Sequence, residues 1–158
     1  MERALHIVVL DRSSVGEDVS VEPLKKYGEV TFHMTTKDEE AAERVKDADI
    51  IIVNKTPMNA DTLDGASHLK LICEFATGFD NVDLDYCRKR GIPVVNVVNY
   101  STAAVAQHTI ACVLYILEKL RYYDDYVKSG AYGSQPRFSH FGLPYSELDG
   151  KTWGIVGM

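Results

Sequence analysis

The sequence has no long hydrophobic run, few cysteines and no signal-peptide pattern. No apolar stretch approaches the roughly 20 residues that a helix needs to cross a bilayer, so we expect no membrane partner. The N-terminal MERALHIVVL places two charged residues before a short apolar run and offers no small-residue cleavage site, which favours a first strand over a signal peptide. The three cysteines form no CxxC pair, and this predicts reduced thiols and a cytoplasmic protein.

Basic residues are in the minority. Lys and Arg number 17 against 23 Asp and Glu, which gives a net charge of −6 and a pI near 5.3. This balance argues against nucleic acid or an anionic membrane as the main partner. His108 and Cys112 are four residues apart on a predicted helix, but a fixed zinc site takes four ligands and no second pair is visible. We therefore expect no metal.

The composition is that of a globular protein with a core, since 46% of the 158 residues are hydrophobic and 25% are charged. This length allows one domain, or one domain and a piece of another. Short apolar runs alternate with helix-length polar segments, and the runs predict strands at 5–10, 29–33, 49–53, 69–75 and 92–95. Strands that alternate with helices form βαβ units. Residues 1–98 are thus predicted to be an α/β, flavodoxin-like domain with a doubly wound, parallel five-stranded sheet.

Helix start and stop signals support the alternation. A weak helix is expected at 21–27. Thr36 and Glu39 have the spacing of a capping box that starts a helix through Lys46. Asn59 is expected to cap a short helical turn that stops by Gly65.

The last helix of this domain has both of its ends marked. Asp83 is expected to cap the helix, and three basic residues precede Gly91. Acid at the start, bases at the end and glycine after them suit the helix dipole and a left-handed stop.

The character of the chain changes at Ser101. Residues 101–127 contain neither Pro nor Gly, and 103–117 is apolar nearly all round, which predicts one long helix buried on more than one side. A helix in an interdomain or subunit contact would be buried in this way. The alternative is an ordinary core helix. We assign 99–128 to an interdomain or dimerisation helix and expect a homodimer through 101–127. Residues 129–150 are predicted to be a loop or arm.

The end of the sequence resembles the beginning of a nucleotide-binding fold. Residues 152–156 are predicted to be a strand that reaches Gly157, as in the first turn of a dinucleotide-binding βαβ unit. One glycine of three is a weak signal alone. We assign 151–158 to the first strand of an incomplete Rossmann domain.

Three loops leave the carboxyl ends of predicted strands, where open α/β sheets bind ligands: 11–16, 54–59 and 76–81. The third contains Gly78, whose backbone can turn its N–H toward an anion without a Cβ in the way. Position and glycine support an anion-binding loop and a simple strand-to-helix turn equally. Tyr100, at the start of the long helix, is a candidate ring and hydroxyl contact near free N–H groups, although packing explains such a Tyr equally well.

Two other uses of this fold are weaker candidates. A flavin-phosphate loop after the first strand would need Ser, Thr, Gly and Asn, and DRSSVGED is too acidic and too poor in glycine. A phosphoacceptor receiver would need an Asp after the third strand, where Asn54 and Lys55 stand.

Four segments together resemble the N-terminal portion of the D-isomer-specific 2-hydroxyacid dehydrogenases, in the family's order and spacing across essentially the whole chain. They are ATGFDNVDL at 76–84, GIPVVNV at 91–97, NYSTAAVAQHTIACVL at 99–114 and ELDGKTWGIVGM at 147–158. The family includes D-lactate, glycerate and phosphoglycerate dehydrogenases. One departure is Gln107, which stands where the family usually has Glu.

The resemblance implies an NAD-dependent oxidoreductase that moves hydride between nicotinamide and C2 of a small 2-keto or 2-hydroxy acid. It implies that Thr77 and Gly78 bind the substrate carboxylate through backbone N–H groups and that Tyr100 lies near the substrate. It further implies that Val105 approaches the nicotinamide and that Gly157 is the first glycine of the cofactor fingerprint.

The resemblance also implies what this chain lacks. The family's catalytic Arg, acidic residue and His lie downstream of the matched region, so no catalytic residue is assigned here. We expect a fragment that is inactive by itself and binds no NAD. The alternative is a non-catalytic carboxylate-binding or regulatory module that kept the apolar helix for dimerisation.

Overall fold

The protein is described by a computed structural model over residues 3–157, and it divides into two compact units between Tyr100 and Ser101. The predicted segments 1–98 and 151–158 therefore include Met1, Glu2 and Met158, which lie outside the described residues.

The first unit is built on a parallel five-stranded sheet in the order β2-β1-β3-β4-β5. This order confirms the predicted flavodoxin-like topology, in which the strand order reverses between β1 and β3. The strands are β1 (Leu5–Val9), β2 (Gly28–Phe32), β3 (Ile50–Val53), β4 (Leu71–Glu74) and β5 (Val94–Val95). The helices are α1 (Asp38–Val45), α2 (Ala60–Leu63) and α3 (Leu84–Arg90), with 3₁₀ turns at Arg12–Ser14 and Glu22–Lys26.

The core follows from the alternation of side chains along these strands. On one face of the sheet, buried residues such as Val8, Ile51 and Ile72 pack in one cluster with buried residues from the connecting helices. On the other face Ile7 and Val9 belong to a smaller cluster, beside the 3₁₀ turn that replaces the predicted helix at 21–27. Strands with apolar side chains on both faces are typical of a parallel sheet covered on both sides.

The predicted capping box of α1 is wrong in its residues. Thr36 Oγ1 donates to the carbonyl of Leu10 at 2.7 Å, so its hydroxyl serves the end of the first strand. The helix begins at Asp38 instead, and Glu40 Oε2 accepts from the N–H of Lys37 at 3.3 Å. Because the Thr36 hydroxyl bonds to the distant carbonyl of Leu10, Thr36 does not cap the helix.

The caps of α2 and α3 are confirmed. The side chain of Asn59 accepts from Thr62 N at 3.2 Å, and that of Asp83 accepts from Tyr86 N at 2.9 Å. Gly91 ends α3 at φ 67°, a left-handed conformation that glycine adopts without strain.

In the second unit, the single helix predicted at 101–127 is wrong. The structure has α4 (Thr102–Leu117) and α5 (Leu120–Lys128), bent by 65°. Glu118 N donates to Leu114 O and Lys119 N to Ile116 O, which closes α4, and Lys119 then takes φ 53°. Within residues 3–157 no single helix is long and apolar enough to cross a membrane, whereas α4 and α5 pass that test only as a bent pair.

The segment after α5 contains a short helix, α6 (Ala131–Ser134), where a loop or arm was predicted. Further along, Tyr122 and Tyr126 of α5 hold His140, through an OH···Nε2 contact of 2.8 Å and a stacked ring pair 3.7 Å apart. The strand predicted at 152–156 is not formed in the described residues, since a strand needs a hydrogen-bonded neighbour and this unit has none there.

Candidate functional site

Acidic side chains and loops converge at the carboxyl ends of three adjacent strands, β1, β3 and β4. Asp11 follows β1, segment 54–58 follows β3, and Glu74 ends β4 before the loop 75–81. Because parallel strands end at the same sheet edge, this is where an α/β fold binds ligands.

Asp11 lies between the ends of β1 and β3, where the strand order reverses. Its carboxylate is buried and accepts the backbone N–H groups of Asn54 at 3.0 Å, Lys55 at 2.9 Å and Thr56 at 3.2 Å. The Thr56 hydroxyl adds a further bond at 3.0 Å. Burial raises the pKa of Asp11, but these bonds stabilise the charged form and hold the pKa below its usual value. The carboxylate is thus a fixed part of this edge, occupied by backbone donors.

Glu74 lies one strand further along and is 2% exposed. Its Oε1 accepts from Asn81 Nδ2 at 2.9 Å, and the same amide nitrogen donates to Thr56 O at 3.2 Å. Burial raises its pKa to about 7, with the Asn81 bond and Lys55 lowering it and Asp11 raising it. A buried carboxyl group therefore lies directly under the loop that follows β4.

The loop at 76–81 presents free backbone donors. Thr77 and Gly78 are exposed, and no acceptor within residues 3–157 takes either N–H. The loop is nevertheless held in place, since Thr77 Oγ1 donates to Val97 O at 2.7 Å and Asn96 Nδ2 donates to Thr77 O at 2.7 Å. A fixed loop with two unpaired donors has the geometry that an anion-binding loop requires.

Tyr100 is 64% exposed and lines an apolar pocket of about 380 Å³ in the first unit. Phe75 and Val97 also line it, and Val97 is the residue whose carbonyl accepts from Thr77. Val97 is thus a neighbour that Tyr100 and Thr77 share, although neither Thr77 nor Gly78 lines this pocket.

Val105 and Gly157 belong to the second unit. Val105 lies in the first turns of α4, is 60% exposed, and its carbonyl accepts from Thr109 Oγ1 at 2.8 Å. Gly157 has φ +103°, and a Cβ added there would meet nothing within 4 Å. That conformation favours glycine.

The described part of the chain contains no group of three or more His, Cys, Asp or Glu placed to hold a metal ion. His108 Nε2 and Cys112 Sγ do meet on one face of α4, 3.4 Å apart. A pair alone does not complete the four ligands of a structural zinc site.

The sequence placed Asp11 and Asn81 in candidate loops without predicting a role for their side chains, and it did not indicate Glu74 as part of the site. A signal for Glu74 was present, because an acidic residue interrupts the apolar run LICEF and charged residues are almost never fully buried without a partner. The partners, however, depend on which strands are neighbours, and that is a property of the sheet order.

Comparison with known proteins agrees with this architecture. A family model described as "D-isomer specific 2-hydroxyacid dehydrogenase, catalytic domain" matches residues 7–151. The chain is 35% identical to a hydroxypyruvate reductase of Blautia hydrogenotrophica over 157 residues, covering 97% of this chain and 49% of that protein. It is 35% identical to a glycerate dehydrogenase of Methylorubrum extorquens over 154 residues, covering 96% and 48%.

A solved structure shows the same fold. The D-lactate dehydrogenase of Aquifex aeolicus, complexed with NAD and lactic acid, is 31% identical with a TM-score of 0.68, covering 90% of this chain and 41% of that one. The chain spans about half the length of the curated relatives it matches. From the match over residues 7–151 and these relatives, the chain belongs to the family of D-isomer-specific 2-hydroxyacid dehydrogenases.

Proposed function

We propose that this chain supplies the substrate-binding side of an NAD-dependent oxidoreductase that transfers hydride between nicotinamide and C2 of a small 2-keto or 2-hydroxy acid. Residues 1–98 form the substrate-binding domain, and 99–128 connect it to the nucleotide-binding side, which begins at 151–158. The relatives named hydroxypyruvate reductase and glycerate dehydrogenase support that substrate class.

One observation carries the proposal: the N–H groups of Thr77 and Gly78 are exposed and unpaired within the described residues, at the carboxyl end of β4. A hydrogen bond to a charged acceptor contributes roughly 1.5–3 kcal/mol. Two such bonds give about 4 kcal/mol, which corresponds to a dissociation constant on the order of 1 mM. The chain by itself therefore binds a carboxylate weakly.

Tyr100 contacts the substrate beside this loop. Its exposed ring and hydroxyl, on the rim of an apolar pocket, can border the carbon chain of a keto acid whose carboxylate binds at Thr77 and Gly78. Ordered polar donors beside an apolar wall are typical of small-molecule sites.

The residues of the second unit fit a dinucleotide. The reduced cofactor NADH would supply the hydride, and Gly157 would serve as the first glycine of the fingerprint, because φ +103° is a turn conformation that glycine adopts without strain. Val105, exposed on α4, would border the nicotinamide side. These residues alone offer too little of a cofactor site to retain NAD.

The 158-residue chain is expected to be catalytically inactive by itself. None of its residues is assigned to polarise the carbonyl or to move the proton, and hydride transfer requires both binding and electrostatic stabilisation. NADH oxidation with pyruvate, glyoxylate or hydroxypyruvate should remain at the background rate. Turnover at ordinary enzyme rates would contradict this part of the proposal.

The cysteines bear on the compartment. Cys73, Cys87 and Cys112 are free thiols, and the pKa of Cys73 and that of Cys87 are raised by burial. Buried, protonated thiols are stable in a reducing environment, so we assign the protein to the cytoplasm.

A second candidate function is a carboxylate-binding or regulatory module that dimerises through 101–127. The observation that favours it is that α4, although apolar, has no buried residue. Tight, saturable binding of a small carboxylate by the 158-residue chain would favour the module, and millimolar binding would favour the dehydrogenase half.

Saturation-transfer NMR with pyruvate tests the carboxylate site. Gly78→Pro removes one N–H and should abolish the signal. Gly78→Ala keeps that N–H, and its Cβ would meet only Asp80 Oδ2 at 3.8 Å, so it serves as the matched control. Equal pyruvate signals from Gly78→Pro and the unmodified chain would refute the site.

A further inference from the structure

The loop that presents Thr77 and Gly78 is closed at its base by two side chains. Glu74 is the last residue of β4, and its Oε1 accepts from Asn81 Nδ2 at 2.9 Å. Asn81 lies where the loop ends, and its carbonyl accepts from Met58 N at 2.8 Å. The bond between Glu74 and Asn81 therefore ties together the two ends of segment 75–80.

The other oxygen of Glu74 is unsatisfied. Its Oε2 is buried without a hydrogen-bond partner in residues 3–157. A buried acceptor without a partner costs about 1–3 kcal/mol, and more when it is charged. Such a group in a native structure requires an explanation, and a site that changes its protonation during function is one.

The charged groups that face Glu74 come from each neighbouring element. Asp11, at the end of β1, raises its pKa, and Lys55, after β3, lowers it. Cys73 precedes it on the same strand, and the charge of Glu74 helps to raise the pKa of that thiol. With burial as the largest effect, the pKa of Glu74 is about 7. Glu74 thus exchanges its proton near neutral pH.

We propose that Glu74 is a positioning residue for carboxylate binding: its bond to Asn81 holds together the ends of the loop that presents Thr77 and Gly78, and loss of its negative charge beneath that loop strengthens anion binding there. The proposal rests on the proposed function, since it assumes that this loop receives the substrate carboxylate.

The direction of the pH effect on carboxylate binding follows from charge. Ionised Glu74 places a negative charge beneath a loop that receives an anion, and it adds to the charge of Asp11. Protonation removes this repulsion, while the neutral carboxyl group can still accept from Asn81, which also keeps its bond to Thr56 O. Because a keto-acid carboxylate stays ionised well below neutral pH, carboxylate binding should tighten as the pH falls from about 8 to 6.

The first measurement uses the 158-residue chain without ligand. The amide shifts of Thr77 and Gly78 should titrate with a midpoint near the pKa of about 7 that burial gives Glu74. Glu74→Gln should abolish that titration, whereas Glu29→Gln, at an exposed strand position of the same sheet, should leave it unchanged. Asn81→Ala removes the hydrogen bond that lowers the pKa of Glu74 and should move the midpoint to higher pH. An unchanged midpoint in Glu74→Gln would overturn the proposal.

The second measurement adds pyruvate at each pH. In the unmodified chain the dissociation constant should fall about threefold or more from pH 8 to 6, and in Glu74→Gln it should be low and independent of pH. If pyruvate binds with the same pH profile in both proteins, the role of Glu74 is refuted while the proposed function stands. If pyruvate does not bind but the loop amides still follow Glu74, the proposed function is refuted and the coupling between Glu74 and the loop is supported.

Discussion

At the scale of single residues, Asp11 shows how one carboxylate organises an edge of the sheet. It follows β1 and takes up the backbone donors of segment 54–56, which follows β3. Without Asp11 the N–H of Thr56 would be buried without an acceptor, which is costly. The arrangement fixes the two loops that flank the reversal of strand order.

Asp11→Asn should destabilise the protein by about 3 kcal/mol at neutral pH, because the three backbone donors that share one carboxylate oxygen would then bond to an uncharged amide oxygen, and hydrogen bonds to charged groups are the stronger ones. The pKa of Asp11 is lowered by its bonds, so its contribution is present above its unfolded pKa and is lost as the pH falls through its folded pKa. Urea unfolding should show the difference between unmodified and variant protein shrinking in acid. Asp18→Asn, at an exposed position, is the control and should change stability by less than about 0.5 kcal/mol.

Glu74 should have the opposite pH dependence. Burial raises its pKa to about 7, so the folded state binds more protons than the unfolded state between the two pKa values, and stability falls as pH rises through that window. Relative to the unmodified chain, Glu74→Gln should gain about 2–3 kcal/mol in unfolding free energy on going from about pH 5 to 8. Parallel stability profiles for the two proteins would contradict the raised pKa.

At the scale of elements, the break between α4 and α5 has a single backbone feature. Lys119 adopts φ 53°, which costs a residue with a Cβ about 1 kcal/mol. Lys119→Gly should therefore stabilise the chain by about 0.5–1 kcal/mol. Glu118→Gly, next to it at φ −77°, should destabilise it by a similar amount. Thermal unfolding of both variants measures this, and a loss of stability in Lys119→Gly would count against a left-handed break.

The sequence allowed every strand of the sheet to be predicted, because four of them lie in short apolar runs bounded by polar segments and β2, GEVTF, alternates polar and apolar residues. The caps at Asn59, Asp83 and Gly91 were predictable since their signals are local. The break at Lys119 was not, because neither Pro nor Gly marks it. Thr36 misled for a related reason: its hydroxyl bonds to Leu10, a contact that only the assembled sheet creates.

The same distinction applies to the site. Thr77 and Gly78 were found from a motif and a loop position, both of which are local. Glu74 and Asn81 act through contacts within and beyond the loop, and these depend on the order β1-β3-β4, which the sequence does not encode locally.

At the scale of the whole molecule, α4 carries apolar side chains that are largely exposed: Val105 at 60%, Ile110 at 52% and Ile116 at 64%. Apolar side chains exposed in this number on one helix favour an interaction site. The 158-residue chain should therefore form a dimer through 101–127 in sedimentation equilibrium. Ile110→Lys should shift it toward monomer, while Val19→Lys, at an exposed apolar position of the first unit, should not. A monomer at all concentrations would contradict the dimer.

We propose that the loop after β4 binds a substrate carboxylate through the backbone of Thr77 and Gly78. The most direct measurement is an amide chemical-shift titration of the 158-residue chain with pyruvate, with uncharged acetamide as control. We expect saturable shifts at Thr77 and Gly78, with a dissociation constant on the order of 1 mM, and none with acetamide. If the amide resonances of Thr77 and Gly78 do not move at saturating pyruvate, this binding site is contradicted.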